Sequence, residues 1–196
     1  GADDANACAA TGSCAPGSGA TDPATASSDV TCETCASGTY NSETSATSAC
    51  VAQTTCNAGQ RVTNTPSASV NRTCTACLAG TISSTANASS CTSCSAGTYA
   101  TGTNKTSCTA CDAGKYAAGT GNASCTTYST CAVGLGSTNT PTATTNTTCS
   151  ACSAGTTYSD AADLTACQTS TACGTGSGAS VSANASRNST CAACNG

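Results

Sequence analysis

Cysteine is the only residue type in this 196-residue chain plentiful enough to carry chemistry: it occurs twenty times, and histidine does not occur. Six CxxC pairs stand along the sequence, and Cys91, Cys94, Cys108 and Cys111 taken alone have the spacing of a four-cysteine zinc ribbon. The absence of histidine, and single cysteines with five residues between them and a neighbour, leave such a ligand set uneven. CxxC is also a thiol–disulfide exchange motif, but that chemistry needs a low-pKa thiolate at a helix N-terminus, and no helical periodicity is present. Acid–base work would fall to the carboxylates Asp3, Asp4, Asp22, Asp29, Glu33, Glu43, Asp112, Asp160 and Asp163, which are scattered singly or in exposed pairs. Without histidine no Ser–His or Cys–His nucleophile can be assembled. Asp160 and Asp163 invite a calcium reading, yet their spacing matches no known loop. The expectation is a chain with no catalytic residues, no metal and no cofactor; a zinc-binding or thiol-redox protein is the alternative that this chemistry leaves open.

The remaining use of the cysteines is oxidative pairing, and composition makes it a necessity. Val, Ile and Leu number ten together, and Phe, Trp and Met are absent. A chain so poor in core material cannot offset its conformational entropy by burial alone. Cysteine at about a tenth of the residues marks a disulfide scaffold, which persists in an oxidising compartment. An extracellular address is therefore expected, on a cell surface or in a secreted form. A net charge of −4 carried by nine acids and five bases offers no basic patch for nucleic acid or anionic lipid. No apolar run is long enough to span a bilayer, so membrane association is expected only through a lipid anchor.

The cysteines keep a register. A longer unit, C-x5-C-x17-CxxC, occurs at Cys8, Cys14, Cys32 and Cys35; at Cys50, Cys56, Cys74 and Cys77; at Cys125, Cys131, Cys149 and Cys152; and at Cys167, Cys173, Cys191 and Cys194. Shorter units join the second copy to the third. The chain thus divides into 1–77 with two long repeats, 78–124 with short CxxC repeats, and 125–196 with two long repeats. Pairing is not unique on sequence grounds. If each short loop closes on the next cysteine, Cys35 meets Cys50, Cys77 meets Cys91, Cys94 meets Cys108, Cys111 meets Cys125 and Cys152 meets Cys167. The x17 loops then close Cys14 on Cys32, Cys56 on Cys74, Cys131 on Cys149 and Cys173 on Cys191. Cys8 and Cys194 are left over, as the end of an absent loop and the start of an unfinished one. They imply a longer array, head-to-tail joining of protomers into a filament, or merely irregular end repeats.

Each short loop opens alike: CASGTY, CLAGTI, CSAGTY, CDAGKY and CSAGTTY, from Cys35, Cys77, Cys94, Cys111 and Cys152. The glycines, Gly38, Gly80, Gly97, Gly114 and Gly155, predict tight turns with positive φ. Tyr40, Tyr99, Tyr116 and Tyr158, with Ile82 at the fifth site, are expected to cover the adjacent disulfide and to form the apolar core of each unit. Seven N-x-S/T sequons stand at Asn71, Asn87, Asn104, Asn122, Asn146, Asn184 and Asn188. Six of them fall three or four residues before a closing cysteine, a phase that predicts equivalent surface positions bearing N-linked glycans.

The loop CSAGTYATGTNKTSC resembles the short CxxGxY module of the tumour-necrosis-factor-receptor and ephrin-receptor cysteine-rich families. That resemblance implies stacks of short antiparallel ladders with bridges as rungs. The tandem units with Ala, Ser, Thr and Gly filling, as in CTACDAGKYAAGTGNASC, are similar to the immobilization antigens of ciliates, which are surface-coat proteins held by a glycolipid anchor. Asn195 and Gly196 are small enough for such an attachment site. The fold expected is small and disulfide-rich: an elongated, solenoid-like array of cysteine-rich repeats with short β-ladders and turns and almost no helix. The function expected is a self-associating structural coat glycoprotein. A receptor-type ectodomain that binds a protein ligand is the alternative.

Overall fold

The structure is a computed structural model, described here for residues 12–22, 28–175 and 177–193. Eighteen strands of two to five residues form nine two-stranded sheets, and no helix occurs among the described residues. Among the described residues no helix is therefore long and apolar enough to cross a membrane. The hairpins divide between two compact units, Gly1–Thr92 with Gly102–Ser107, and Ser93–Thr101 with Cys108–Gly196.

The hairpins opened by Cys14, Cys35, Cys56, Cys77, Cys94, Cys111, Cys131 and Cys152 are built the same way. An opening cysteine is followed three residues later by a glycine with φ between 79° and 93°, as at Gly17, Gly38, Gly59, Gly97 and Gly134. That φ at the third place of a four-residue turn is nearly free for glycine and strained for other residues. The turn closes when the residue after the glycine donates its N–H back, as Ser18 does to the Ala15 carbonyl and Thr98 to the Ser95 carbonyl, both at 3.0 Å. The first strand then pairs antiparallel with the strand beside the closing cysteine. Gln60–Val62 lies against Cys74–Ala76, and Thr98–Tyr99 against Thr109–Ala110. Disulfides join Cys14 to Cys32, Cys35 to Cys50, Cys56 to Cys74, Cys77 to Cys91, Cys94 to Cys108, Cys111 to Cys125, Cys131 to Cys149, Cys152 to Cys167 and Cys173 to Cys191. Cys8 and Cys194 lie outside the described residues.

The core is sulfur and small side chains. Cys14, Cys56, Cys77, Cys94 and Cys131 are no more than 1% exposed. Their partners Cys32 and Cys149 are exposed, and Cys74, Cys91 and Cys108 half-buried. The tyrosine expectation is corrected: Tyr40, Tyr99, Tyr116, Tyr158 and Ile82 are only half-buried. The residue that follows each of them is the buried one, namely Asn41, Ala100, Ala117, Ser159 and Ser83, at 3–4% exposure. Alternation along a two-residue strand explains this, because the ring and its successor point to opposite faces and the inner face has room only for a small side chain. Where that inner residue is polar it is hydrogen-bonded, as burial requires. Asn41 Nδ2 donates to the carbonyls of Ser18 (2.9 Å) and Ser48 (3.3 Å), and its Oδ1 accepts the Glu43 N–H (3.1 Å).

Each of these five fully buried cysteines is roofed by a later loop of its own unit. In the first unit the N–H groups of Asn87 and Asn104 donate to the carbonyls of Cys56 (2.8 Å) and Cys77 (3.0 Å), and Cys14 exchanges bonds with Ser45. In the second, Gly121 donates to the Cys94 carbonyl (2.8 Å), and Cys131 to the Asp163 carbonyl (2.7 Å). The short roofs place a left-handed residue at the contact, Asn87 (φ 56°), Asn104 (φ 58°) or Gly121 (φ 76°). The roofs over Cys14 and Cys131 belong to loops one residue longer, with bridged cysteines 15 rather than 14 apart, and need no such residue. Those longer loops press elsewhere. A Cβ on Gly19 would lie 2.8 Å from Cys50 Sγ, and one on Gly136 would lie 2.6 Å from Cys167 Sγ, each overlapping the same cysteine's backbone nitrogen. The corresponding position in the second long repeat faces a shorter loop and holds Arg61.

Two outcomes follow. Replacing Cys94 and Cys108 together by alanine should cost about 2–5 kcal/mol of stability in a denaturant titration, and full reduction should abolish the cooperative transition. Gly136→Ala should be destabilising by roughly 1–3 kcal/mol through overpacking, whereas Arg61→Ala should shift stability by less than about 0.5 kcal/mol.

Candidate glycan-bearing and binding surface

The titratable and sulfur chemistry is largely committed to structure. Cys91, Cys94, Cys108 and Cys111 do not converge; their sulfurs belong to three separate bridges. Among the described residues no three ligand-type side chains gather as a metal site would require. Asp112 pairs with Lys115 across 3.8 Å at the surface. Asp163 is a turn cap: its Oδ1 accepts the Thr165 hydroxyl (2.7 Å) and the Thr165 N–H (2.8 Å). Those two bonds, the hydroxyl first, hold the Asp163 pKa below its ordinary 3.8.

The sequon asparagines fall into distinct environments, which corrects the expectation of equivalent positions. Asn71, Asn146 and Asn188 are half-buried and hydrogen-bonded at both side-chain atoms. Asn71 Oδ1 accepts the N–H of Thr54 (2.8 Å) and of Arg72 (2.7 Å), while its Nδ2 donates to Thr54 Oγ1 (2.9 Å). Asn146 repeats this with Ser129 and Thr147, and Asn188 with Thr171 and Ser189. In each case the asparagine ties the loop to a residue seventeen positions upstream. The sequon threonines are occupied too: Thr73 Oγ1 meets Thr63 Oγ1 at 2.8 Å, Thr148 meets Thr138 at 2.6 Å, and Thr190 meets the Ser180 hydroxyl at 3.0 Å.

The other four differ. Asn87 is exposed, and its Oδ1 accepts from the Cys56 N–H (2.9 Å) and the Arg72 guanidinium (3.1 Å). Asn122, one place beyond the left-handed roof position, donates from Nδ2 to the Gly119 carbonyl (3.1 Å). Asn104 is exposed, and its side chain makes no hydrogen bond among the described residues. Asn184 is exposed and accepts the Ser186 N–H at Oδ1 (2.9 Å), leaving Nδ2 without a partner among the described residues.

Two further asparagines outside any sequon escape a sequence reading. Asn64 Nδ2 donates to the Asn71 carbonyl (2.6 Å) and its Oδ1 accepts the Thr73 N–H (2.9 Å); Asn139 does the same with Asn146 and Thr148. A side-chain amide here replaces one rung of backbone ladder. The first and last long repeats have Asp22 and Val181 at this place and instead extend the ladder, pairing Asp22 with Thr31 and Val181 with Thr190. The one signal for these asparagines was their identical offset before the closing cysteine in two repeats.

An open cleft of about 530 Å³ is lined by residues including Val62, Asn64, Pro66, Arg72, Asn87 and Ser89. Its arginine is held down, with Nη1 donating to the Thr54 carbonyl (2.7 Å) and Nη2 to Gln53 Oε1 (3.2 Å). Of the large apolar side chains exposed elsewhere, Val51 stands on the strand Val51–Ala52, and Val70, Leu78, Val133 and Leu164 stand on separate turns or loops. For Asp163 the folded pKa is the depressed one, so the contribution of its cap is present above the ordinary carboxylate range and lost as pH falls through the folded value. Thr165→Val should move the Asp163 titration, followed by NMR, upward towards 3.8.

No family model matches the sequence, and no curated protein matches it. Solved structures do match. The human RANKL/OPG complex aligns at 20% identity with a TM-score of 0.40, covering 79% of this chain and 96% of that one. The mouse RANKL-OPG complex aligns at 20% identity with a TM-score of 0.29, covering 80% and 88%. The hairpins and bridges described above make this chain a small, disulfide-rich array of cysteine-rich repeats.

Proposed function

We propose that the chain is a non-catalytic extracellular structural glycoprotein, a coat component of the immobilization-antigen kind that works by presenting its surface. The observation that carries this reading is the pairing of a covalent interior with a bland exterior. The core consists of bridged cysteines and single small residues. Outside it lie short strands rich in Thr, Ser and Ala; Trp and Phe are absent, and the half-exposed Tyr40, Tyr99, Tyr116 and Tyr158 are spread one to a hairpin rather than gathered with arginine into the anchor clusters on which protein recognition usually concentrates. Nine bridges imply an oxidising compartment and resist proteolysis and heat, the demands made of a coat. Self-association, N-linked glycans and attachment through a lipid anchor belong to the same proposal.

A receptor-type cysteine-rich ectodomain is the second reading. The solved neighbours are complexes of OPG with RANKL, and the corresponding role here would be the binding of a protein ligand. The feature of this chain that favours it is the cleft beside Val62 and Pro66, where an apolar rim adjoins a fixed guanidinium. Against it, that guanidinium has its donors turned inward to Thr54, Gln53 and Asn87.

Antibody labelling of intact source cells separates the two. A coat gives a dense, continuous layer, and cross-linking of intact cells gives multimers of the chain with itself. Sparse labelling, together with a saturable protein partner whose binding is lost in Val62→Asp, would transfer the assignment to the receptor reading.

A further inference from the structure

We infer that the sequons do two different jobs: Asn71, Asn146 and Asn188 are internal tethers that stay unmodified, whereas Asn104 and Asn184 are the positions that accept an N-linked glycan. Glycosylation acts on Nδ2. In that step Nδ2 forms a bond to the anomeric carbon of a lipid-pyrophosphate-linked sugar donor as the carbon–oxygen bond to pyrophosphate breaks. The pyrophosphate leaves with the electron pair, and Nδ2 gives up one proton. At the three tether positions Nδ2 is already donating to a hydroxyl within 2.8–3.0 Å, on a side chain whose oxygen holds two backbone N–H groups. A sugar ring would have to be seated against that half-buried contact.

A comparison inside the chain indicates what the position selects for. In the first long repeat the equivalent residue is Asp29, whose Oδ1 accepts the Val30 N–H at 2.8 Å as the asparagines accept from their own successors. A carboxylate has no N–H to give, and the hydroxyl partner is gone: Gly12 stands seventeen residues upstream, where a Cβ would overlap the Asp29 carboxylate. The oxygen acceptor is kept while the sequon is lost. The hydroxyl at the third place of each sequon likewise has a cross-strand partner in Thr63, Thr138 or Ser180. Both halves of the motif, and hence its phase with the cysteines, follow from loop construction. Asn104 and Asn184 are exposed with Nδ2 unengaged among the described residues; Asn87 shares that free Nδ2, but its Oδ1 is pinned by the Cys56 N–H and the Arg72 guanidinium, which fixes the side chain against the loop below.

The acceptor half of this inference rests on the chain being a secreted glycoprotein; the tether half does not. The chain secreted from a eukaryotic host is treated, in heavy-oxygen water, with a glycosidase that converts glycosylated asparagine to aspartate. Peptide mass spectrometry should then find the label at Asn104 and Asn184, and unaltered asparagine at Asn71, Asn146 and Asn188. Predominant labelling at any of those three overturns the division, and bare asparagine at all seven sites overturns both the acceptor half and the glycoprotein reading. In unglycosylated chain from an oxidising bacterial periplasm, Asn71→Ala or Asn188→Ala should lower the melting temperature by about 2–4 °C. Asn104→Gly, which keeps a residue suited to positive φ, should change it by less than about 1 °C. Equal tolerance at the tether and control positions overturns the tether role.

Discussion

Every level of this structure depends on a buried half-cystine covered by the backbone of a later loop. At Cys14, Cys56, Cys77, Cys94 and Cys131 the bridge joins a sulfur sealed from water to one at or near the surface, so those hairpins have an inside and an outside without an aliphatic core. In the chain-entropy account, a bridge over a loop of about fifteen residues is worth roughly 3 kcal/mol. It acts by restricting the unfolded chain, a role no apolar cluster could fill with ten Val, Ile and Leu in 196 residues. The covering contact is different in kind. It is a backbone hydrogen bond onto the cysteine's own peptide group, so the polar backbone beside each sulfur is satisfied as the sulfur is buried.

Loop length and side-chain choice are coupled through that contact. A bridge spanning 14 positions reaches the cysteine beneath it only by a left-handed turn, which asparagine or glycine supplies at Asn87, Asn104 and Gly121. A bridge spanning 15 has the slack to avoid that turn, but the extra length drives Cys50 and Cys167 onto the strand below, where only Gly19 and Gly136 give room. One added residue therefore moves the demand for glycine from the loop to its neighbour. The buried residue that follows Tyr40, Ile82, Tyr99, Tyr116 or Tyr158 is in every case Ala, Ser or Asn.

The asparagines show why a motif and its use need separate arguments. N-x-T is both an acceptor sequence for glycans and a natural way to end these loops. The amide oxygen collects two backbone N–H groups, the amide nitrogen reaches a hydroxyl, and the threonine pairs across the strands. The regular spacing of the Asn71, Asn146 and Asn188 sequons is then a property of the hairpin, whereas Asn104 and Asn184 keep Nδ2 without a partner among the described residues. The same reasoning applies to Arg72, whose charge suggests a binding residue until its donors are traced to Thr54, Gln53 and Asn87.

The amino-acid sequence alone determined the class of fold and the setting. Twenty cysteines in register, too little apolar material for a core, and glycine three places after each opening cysteine point to a disulfide-rich array of turns and short ladders, because those constraints are local or compositional. What only the tertiary structure decided is which residues lie inside. Tyrosine had the stronger apolar claim on the core, yet strand alternation gave that place to its small successor. The partners of Asn71, Asn146 and Asn188 lie seventeen residues away, and the cysteine beneath Asn87 lies thirty-one away. Relations at that range depend on how one loop settles upon another, which no local pattern of residues encodes.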